Sequence, residues 1–316
     1  MKKREIIISN IKKKVIIITG QNQSGKSLLT RLVTSFGKSD IFTIDYFLES
    51  LPSFYKLKKI NKQTFKELIN FYINQLLINK TIGRNLNLKR NEETSIWQTS
   101  RANFFIKKII ENYSKKKIIN KIKKENEIII LLHDAMSYLD LVFYSFKDVK
   151  IINIAGNSVD QVYSLYNKKT YLYAENNFKD NLTSDIRYTY KGKINSVYGL
   201  GWEKKFRSLN KIEKLINIKS RLDLSEKRQI SKNKLNKKKI LSIKYDDLLN
   251  KSNETTSKIA KFLEKRISPL TNKILLSSDF LSRKKFIEKR PERIKFIISK
   301  IKKNKLDLMN KIITKK

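Results

Sequence analysis

The sequence contains no cysteine, one histidine, three prolines and eight glycines among its 316 residues. The lack of cysteine excludes disulfide bonds, thiol catalysis and metal sites with thiolate ligands. It is also typical of a cytoplasmic protein, because disulfides accumulate in oxidising compartments. Proline and glycine are scarce while hydrophobic residues make up 40%, so the composition argues for a folded core and against a disordered or fibrous chain.

The sequence also lacks long apolar runs. No stretch approaches the length of a membrane-spanning helix. The apolar part of residues 1–10 is too short for a signal peptide. We therefore expect a cytoplasmic protein with no transmembrane segment.

Acidic residues are scarce relative to basic ones, with 29 Asp and Glu against 70 Lys and Arg, which gives a net charge of +41. A charge of this size indicates a polyanion or an anionic membrane as a partner, and it would allow peripheral binding at the inner membrane surface. The lysines are spread along the chain, however. The abundance of Lys, Ile and Asn, whose codons are AT-rich, offers genome composition as an alternative cause.

Short apolar runs alternate with segments of helical periodicity. The runs predict buried parallel strands at 15–19, 41–44, 127–132, 150–154 and 239–243. Helical patterns occupy 28–36, most of 46–120, 137–146, 159–166, 254–263 and the chain from about 270 onward, whereas 167–235 has no clear pattern. This order predicts a three-layer α/β domain over 1–268 with a mainly parallel sheet, followed by a basic helical C-terminal extension over 269–316.

A phosphate-binding loop follows the first predicted strand. The segment GQNQSGKS, from Gly20 to Ser27, matches the pattern GxxxxGKS between a strand and a helix. Gly20 and Gly25 would let backbone amides turn toward an anion, and the helix that follows would add unpaired N–H groups. Lys26 would place a charge at the terminal phosphate, and Ser27 would donate to an oxygen or hold Mg²⁺. This loop serves hydrolases, kinases and group-transfer enzymes alike.

Three later segments narrow the choice. KIINIAGNSVDQVYSLY at 150–166 reads as a strand, a loop and a helix. KYDDLL at 244–249 precedes a helix that ends in KFL at 261–263, and the predicted strand before His133 completes the set. In this order, the segments resemble landmarks of the sulfotransferases that use 3′-phosphoadenosine 5′-phosphosulfate (PAPS). The resemblance covers about 15–265 as short islands, and it implies a P-loop-like fold.

The resemblance implies site residues position by position. Ser24 to Leu28, including Gly25, Lys26 and Ser27, match the loop that holds the phosphosulfate end of PAPS. Ser164 matches the serine that binds the 3′-phosphate, and His133 matches the general base. The implied activity is transfer of a sulfuryl group to a hydroxyl or amine acceptor, for example on a glycan, without a metal ion.

Three positions depart from the family pattern. Gly156 stands where the family has the arginine that binds the 3′-phosphate, Ser158 stands where it has proline, and Lys26 stands where many members have threonine. Loss of the arginine removes a charge-assisted contact that discriminates a 3′-phosphate. We consider Arg187 and Arg207 as residues that could supply this charge from elsewhere in the chain.

Two other functional classes stay open at this stage. In a P-loop kinase or NTPase, Lys26 and Ser27 would hold ATP with Mg²⁺, and Asp45 or Asp134 would act as the base or metal carboxylate. Both aspartates also have structural alternatives, because Asp45 could lie in a turn and Asp134 could cap a helix. The third class is a polyanion-binding protein with a vestigial nucleotide site, which the charge alone supports.

Overall fold

A computed structural model describes residues 13–90, 92–124, 126–168 and 186–313. Residues 1–10, whose apolar part is too short for a signal peptide, lie outside the described residues. Within the described ranges, no helix is long and apolar enough to cross a membrane.

A five-stranded parallel sheet forms the centre of the molecule. Its strands are β1 (Lys14–Gly20), β2 (Phe42–Ile44), β3 (Glu127–His133), β4 (Val149–Ala155) and β7 (Ile240–Lys244). They lie side by side in the order β2-β3-β1-β4-β7. Each of the five predicted strands is confirmed to within one residue at either end. The strands form because continuous β-branched apolar runs suit a sheet that is buried on both faces.

Helices cover both faces of the sheet. Those of the first half are α1 (Lys26–Ser35), α2 (Tyr46–Lys56), α3 (Lys62–Thr81), α4 (Ala102–Ile110), α5 (Lys115–Lys124), α6 (Leu139–Ser145) and α7 (Ser158–Asn167). Those of the second half are α8 (Glu203–Ser208), α9 (Lys211–Lys232), α10 (Tyr245–Asn250), α11 (Ser252–Leu263), α12 (Pro269–Leu275), α13 (Ser278–Glu288), α14 (Arg290–Lys300) and α15 (Asn310–Ile313). The expected three-layer α/β architecture with a mainly parallel sheet is therefore confirmed.

Alternate side chains of β1 enter two separate cores. Ile16 and Ile18 pack with α1, α11, α12 and α13 on one face. Val15 and Ile17 pack with α2, α3 and α6 on the other face. This period of two is the geometry of a strand, and it explains why no polar residue interrupts the run from Val15 to Ile18.

The helices of the predicted C-terminal extension pack against the α/β domain on two sides. Phe280 of α13 is buried in the core beneath α1. Ile297 of α14 and Ile312 of α15 are buried in a third core, which they share with α7, α8 and α9. These helices therefore shape the site described below.

Residues 186–235 contain structure that the sequence pattern did not indicate. An antiparallel hairpin is formed by β5 (Arg187–Tyr190) and β6 (Lys193–Ser196), and α9 runs for 22 residues. The buried residues of α9 all lie between Ile212 and Lys219, so only the first half of this helix has a clear pattern of burial. A capping box between Asn210 and Glu213 marks the start of α9, and this local signal was available in the sequence.

Candidate functional site

The loop between β1 and α1 makes a tight turn at Gly25, directly before the start of α1. Gly25 has a φ of 95°, which is costly for any residue with a side chain. A Cβ atom at Gly25 would also come within 2.2 Å of the Tyr245 ring. The glycine is therefore required both by the backbone turn and by the aromatic ring that covers it. Helix α1 begins at the next residue, Lys26, so its free N–H groups lie in the loop.

Lys26 is buried beneath the loop, with 6% of its surface exposed. Its Nζ donates to the carbonyl oxygens of Gly20 at 2.9 Å and Gln21 at 2.7 Å. Burial lowers the pKa of Lys26 from 10.5 to about 8, although Asp134, Glu49 and Glu226 oppose this shift through their negative charges. An anion in the loop would favour the charged form further, so the ammonium is suited to phosphate binding.

Carboxylates of α9 support the loop from behind. The Gln21 side chain donates to Asp223 at 2.8 Å and to Glu226 at 2.9 Å. Asp223 also pairs with Lys219 at 2.6 Å. Burial raises the pKa of Glu226 from 4.5 to about 7, which means that this carboxyl changes its charge near neutral pH.

His133 ends β3, next to the loop that follows β1, and it forms a pair with Glu49 of α2. The Glu49 carboxylate accepts from the His133 backbone N–H at 3.0 and 3.1 Å. The same carboxylate lies 3.0 Å from His133 Nδ1. With Glu49 ionised, the carboxylate can only accept, so a neutral imidazole here carries its proton on Nδ1 and leaves Nε2 as the acceptor.

The loop after β4 passes very close to the phosphate loop at Gly156. A Cβ atom there would lie 2.8 Å from the Ser24 Cα and 3.1 Å from the Gln161 side chain. The Gln161 side chain in turn donates to the Asn22 carbonyl at 2.8 Å. An arginine at position 156 would displace this backbone, so its absence follows from the packing of the two loops.

One cleft brings the predicted site residues together. Its volume is about 520 Å³. It is lined by Asn22, Gln23, Ser24, Gly25, Lys26, Ser27, Glu93, His133, Gly156, Asn157, Asp160, Ser164, Lys168, Tyr245, Ser282, Arg283 and Phe286. Of the other predicted donor-binding residues, Gly20 contributes its carbonyl to Lys26, and the Leu28 side chain is fully buried in the core.

Two basic side chains share the cleft with Ser164. Lys168 lies one helical turn further along the same chain segment, and Arg283 comes from α13. Asp279 anchors Arg283 at 3.2 Å and also pairs with Arg31 of α1 at 2.9 Å. The charge that Gly156 cannot supply is therefore present in the cleft.

Neither of the arginines considered from the sequence is among the residues that line this cleft. Arg207 donates to Asn195 at 3.0 Å and to the Tyr190 carbonyl at 3.2 Å, so it is bound to the hairpin. Arg187 begins the hairpin strand β5. Both residues belong to a part of the chain that the sequence pattern did not resolve.

A partly buried network of charges connects the C-terminal helices to the cleft. Asp160 of α7 accepts from Arg290 and Arg293 of α14, each at 2.6 Å. Arg290 also reaches Asp246 of α10 at 2.9 Å. Removal of one partner from such a network is costly, because it leaves a buried charge unpaired. Asp160, which lies in the segment 150–166, therefore stabilises the contact between α7 and α14.

The two aspartates of the kinase alternative lie outside the cleft lining. Asp45 caps α2, because its side chain accepts from two backbone N–H groups, and it also accepts from Tyr72 at 2.6 Å. Asp134 precedes a short 3-10 helix that begins at Ala135, and its backbone carbonyl accepts from the Ser137 N–H at 2.8 Å. Its φ is left-handed at 54°, and its side chain makes no capping hydrogen bond. Its Oδ2 accepts from Tyr198 at 3.1 Å, and its buried Oδ1 has no hydrogen-bond partner among the described residues.

Sequence reasoning missed four residues of the site. Glu49, Lys168, Tyr245 and Arg283 reach it from α2, the end of α7, α10 and α13. Tyr245 lay within a segment that was recognised, but its contact with Gly25 was not foreseeable. In the described part of the chain, no group of three or more His, Asp or Glu side chains could hold a metal ion.

No protein-family model matches the sequence, and no curated protein matches it. Among solved structures, the chain is similar to the sulfotransferase domain from the curacin biosynthetic pathway, with 13% identity and a TM-score of 0.40 over 84% of this chain and 79% of that chain. A sulfotransferase from Mycobacterium tuberculosis aligns with 12% identity and a TM-score of 0.41 over 89% of this chain and 76% of that one. At these TM-scores the similarity does not support a conclusion about function, so a proposed function has to rest on the geometry of the cleft.

Proposed function

We propose that the protein transfers a sulfuryl group from PAPS to a hydroxyl or amine acceptor. The observation that supports this proposal best is the cleft, which holds three elements of such a site. They are the phosphate loop with Lys26, the His133–Glu49 pair, and the polar group formed by Ser164, Lys168 and Arg283.

The residues present fit a donor that has phosphate groups at two places. The loop amides from Ser24 to Ser27 and the Lys26 ammonium would hold the 5′-phosphosulfate end. The Ser164 hydroxyl, the Lys168 ammonium and the Arg283 guanidinium would hold the 3′-phosphate. A nucleotide with a single phosphate chain would leave Ser164, Lys168 and Arg283 with no phosphate to bind.

His133 acts on the acceptor in this proposal. Its Nε2 accepts the proton from the acceptor hydroxyl or amine as the new bond to sulfur forms, while Glu49 holds the imidazolium that results. The bond between sulfur and the bridging oxygen breaks at the same time. Lys26 and the loop amides then stabilise the negative charge that develops on the departing 5′-phosphate. No metal ion takes part in these steps.

A binding titration tests the donor. We expect 3′,5′-bisphosphorylated adenosine, the desulfated product, to bind without Mg²⁺ and more tightly than ATP does. Lys26→Ala should abolish this binding. The melting temperature should also fall, because the Gly20 and Gln21 carbonyls lose their buried donor, so circular dichroism at the assay temperature checks that the variant is folded. Equal affinity for adenosine 5′-monophosphate would contradict a role for the second phosphate.

Transfer is tested with radiolabelled PAPS and a panel of phenols, amines and saccharides. His133→Ala should lower turnover by about 10²–10⁴, the usual contribution of a general base, with little change in donor affinity. Unchanged turnover in this variant would remove His133 from the mechanism, and failure of every acceptor class to accept label would argue against sulfuryl transfer.

An ATP-dependent kinase or NTPase is the second candidate. The intact GKS sequence and the unbonded Asp134 Oδ1 close to Lys26 favour it. ATP binding that appears only with Mg²⁺, and that Asp134→Asn removes, would support this candidate over PAPS.

A further inference from the structure

A second concave surface, separate from the donor cleft, lies between α8, α9 and α15. Its volume is about 410 Å³, and it shares no lining residue with the donor cleft. It is lined by Lys205, Asn217, Ser220, Arg221, Leu224, Ser225, Arg228 and Lys311. We call this surface the basic pocket.

Four of these eight side chains are cationic, and the lining contains no carboxylate. Lys205, Arg221, Arg228 and Lys311 have no salt bridge to a carboxylate among the described residues. Because Lys and Arg number 70 against 29 Asp and Glu, many cations of the chain must lack such a partner. The basic pocket differs in that four of them line one cavity with no carboxylate in its lining.

Helix α9 separates its charges by face. Asp223 and Glu226 lie on the side that supports the phosphate loop through Gln21. Arg221 and Arg228, seven residues apart, lie on the side of the basic pocket. The acidic face therefore cannot neutralise the basic one, and the arginine side chains stay available to a ligand.

Mutual repulsion is built into the pocket. Burial lowers the pKa of Lys311, and the charges of Lys205 and Arg221 lower it further, while Asp307 opposes the shift. The Lys311 ammonium nevertheless keeps a fixed position, because it donates to Asn217 at 3.0 Å. A bound anion would relieve this repulsion, and the Ser220 hydroxyl could donate to it. The Ser225 hydroxyl already donates to the Ser137 carbonyl at 3.2 Å.

We propose that the basic pocket is a second anion-binding site, which takes a small ligand with two or more phosphate or sulfate groups. Several cations from three helices suit more than one tetrahedral anion, since a single anion would satisfy only part of them. The volume is that of a small-molecule site. This site functions independently of the reaction proposed for the donor cleft.

Trp202 provides a reporter inside the wall of this site. The Arg221 guanidinium lies 4.4 Å from the centre of the Trp202 ring, so an anion that draws Arg221 away will change the fluorescence of the indole. The sequence contains two tryptophans. In a Trp97→Phe protein, Trp202 is therefore the sole source of the signal.

The experiment titrates this protein with inorganic tripolyphosphate and, in a parallel arm, with a sulfated disaccharide. We expect a saturable change in fluorescence that weakens as salt is added, and the tighter probe indicates whether phosphate or sulfate is preferred. The signal should persist when Lys26→Ala is added, because the donor loop is a different site. Absence of a saturable change with both probes would overturn the proposal.

A pair of double variants separates a specific site from general charge. Lys205→Gln with Arg228→Gln should weaken binding about 10-fold or more, since each removes a charge-assisted contact. Lys237→Gln with Lys238→Gln removes the same charge from an exposed turn outside the pocket and should change affinity less than about 2-fold. Equal losses in both pairs would show that the probe senses only net charge. Loss of the signal with Lys26→Ala alone would assign the binding to the donor loop.

Discussion

The protonation of Lys26 makes donor binding depend on pH in a window where most lysines stay charged. Burial places the pKa of this ammonium at about 8 in the free protein. A phosphate in the loop stabilises the charged form, so the complex holds its proton to a higher pH than the free protein does. Binding above pH 8 must therefore take up a proton, and affinity must fall as pH rises.

The size of this effect follows from the two protonation states. With a pKa of about 8, the fraction of charged Lys26 falls from about 90% at pH 7 to about 10% at pH 9. If only the charged form binds, affinity falls about 10-fold over this interval, which corresponds to about 1.4 kcal/mol. The phosphates of the probe have a second pKa near 6 and are almost fully ionised throughout, so they contribute little.

The assay is isothermal titration with 3′,5′-bisphosphorylated adenosine at several pH values, in buffers that differ in ionisation enthalpy. The measured heat should reveal uptake of close to one proton at about pH 9 and almost none at about pH 7. Lys26→Met keeps the length of the side chain without its charge, so any binding that remains should lack the fall of about 10-fold between pH 7 and pH 9. A wild-type affinity that stays constant from pH 7 to pH 9, or a Lys26→Met protein with the same pH dependence, would refute the reasoning.

Three further predictions concern residues around the loop. Glu49→Gln should lower turnover about 10-fold or more while KM for PAPS and the melting temperature stay unchanged, because the carboxylate orients His133 and does not hold the donor; a raised KM with unchanged turnover would contradict this. Glu226→Gln should stabilise the protein above pH 7 by about 3 kcal/mol in chemical denaturation, because its raised pKa makes the wild type lose stability as pH rises from about 4.5 to about 7. The two proteins should be equally stable below pH 4.5, and a gap there would be evidence against this cause. Gly156→Ala should weaken donor binding and cost about 1–3 kcal/mol of stability, since its Cβ would meet the Ser24 Cα at 2.8 Å. Gly37→Ala is the control, because its Cβ would meet its nearest neighbour at an ordinary 3.5 Å. Equal effects of the two substitutions would count against displacement of the loop.

The sequence alone was sufficient to predict the sheet and the strand–loop–helix conformation around residues 20–27. Strands β1 and β3 contain the continuous apolar runs Val15–Ile18 and Ile128–Leu132, which are typical of strands buried on both faces of a sheet. The loop from Gly20 to Ser27 is equally local, because its geometry depends on glycine at particular positions and on the helix that follows directly. Parallel strands also bring their C-terminal ends to one edge, so His133 could be expected near the loop.

The partners of these residues were decided by the tertiary structure. Glu49 lies 84 residues before His133 in the chain, and Arg283 reaches the cleft from a helix that the pattern placed in an extension. Hydrophobic periodicity indicates which face of a helix is buried, but it does not show which polar side chain meets another across the fold. Gly156 illustrates the same limit. In the sequence, a glycine at this position indicates the loss of a contact to phosphate, whereas in the tertiary structure the backbone of Ser24 leaves no room for a side chain.

Helix α9 shows which features depend on the local sequence and which depend on tertiary packing. Its capping box fixed its start within a few residues of sequence, as helix caps do. Only packing directed Glu226 toward the phosphate loop and Arg228 toward the basic pocket. Backbone hydrogen bonds and side-chain periodicity act over a few residues and can be read from the chain, whereas the contacts that place charges in a site join distant segments and form only when the core is packed.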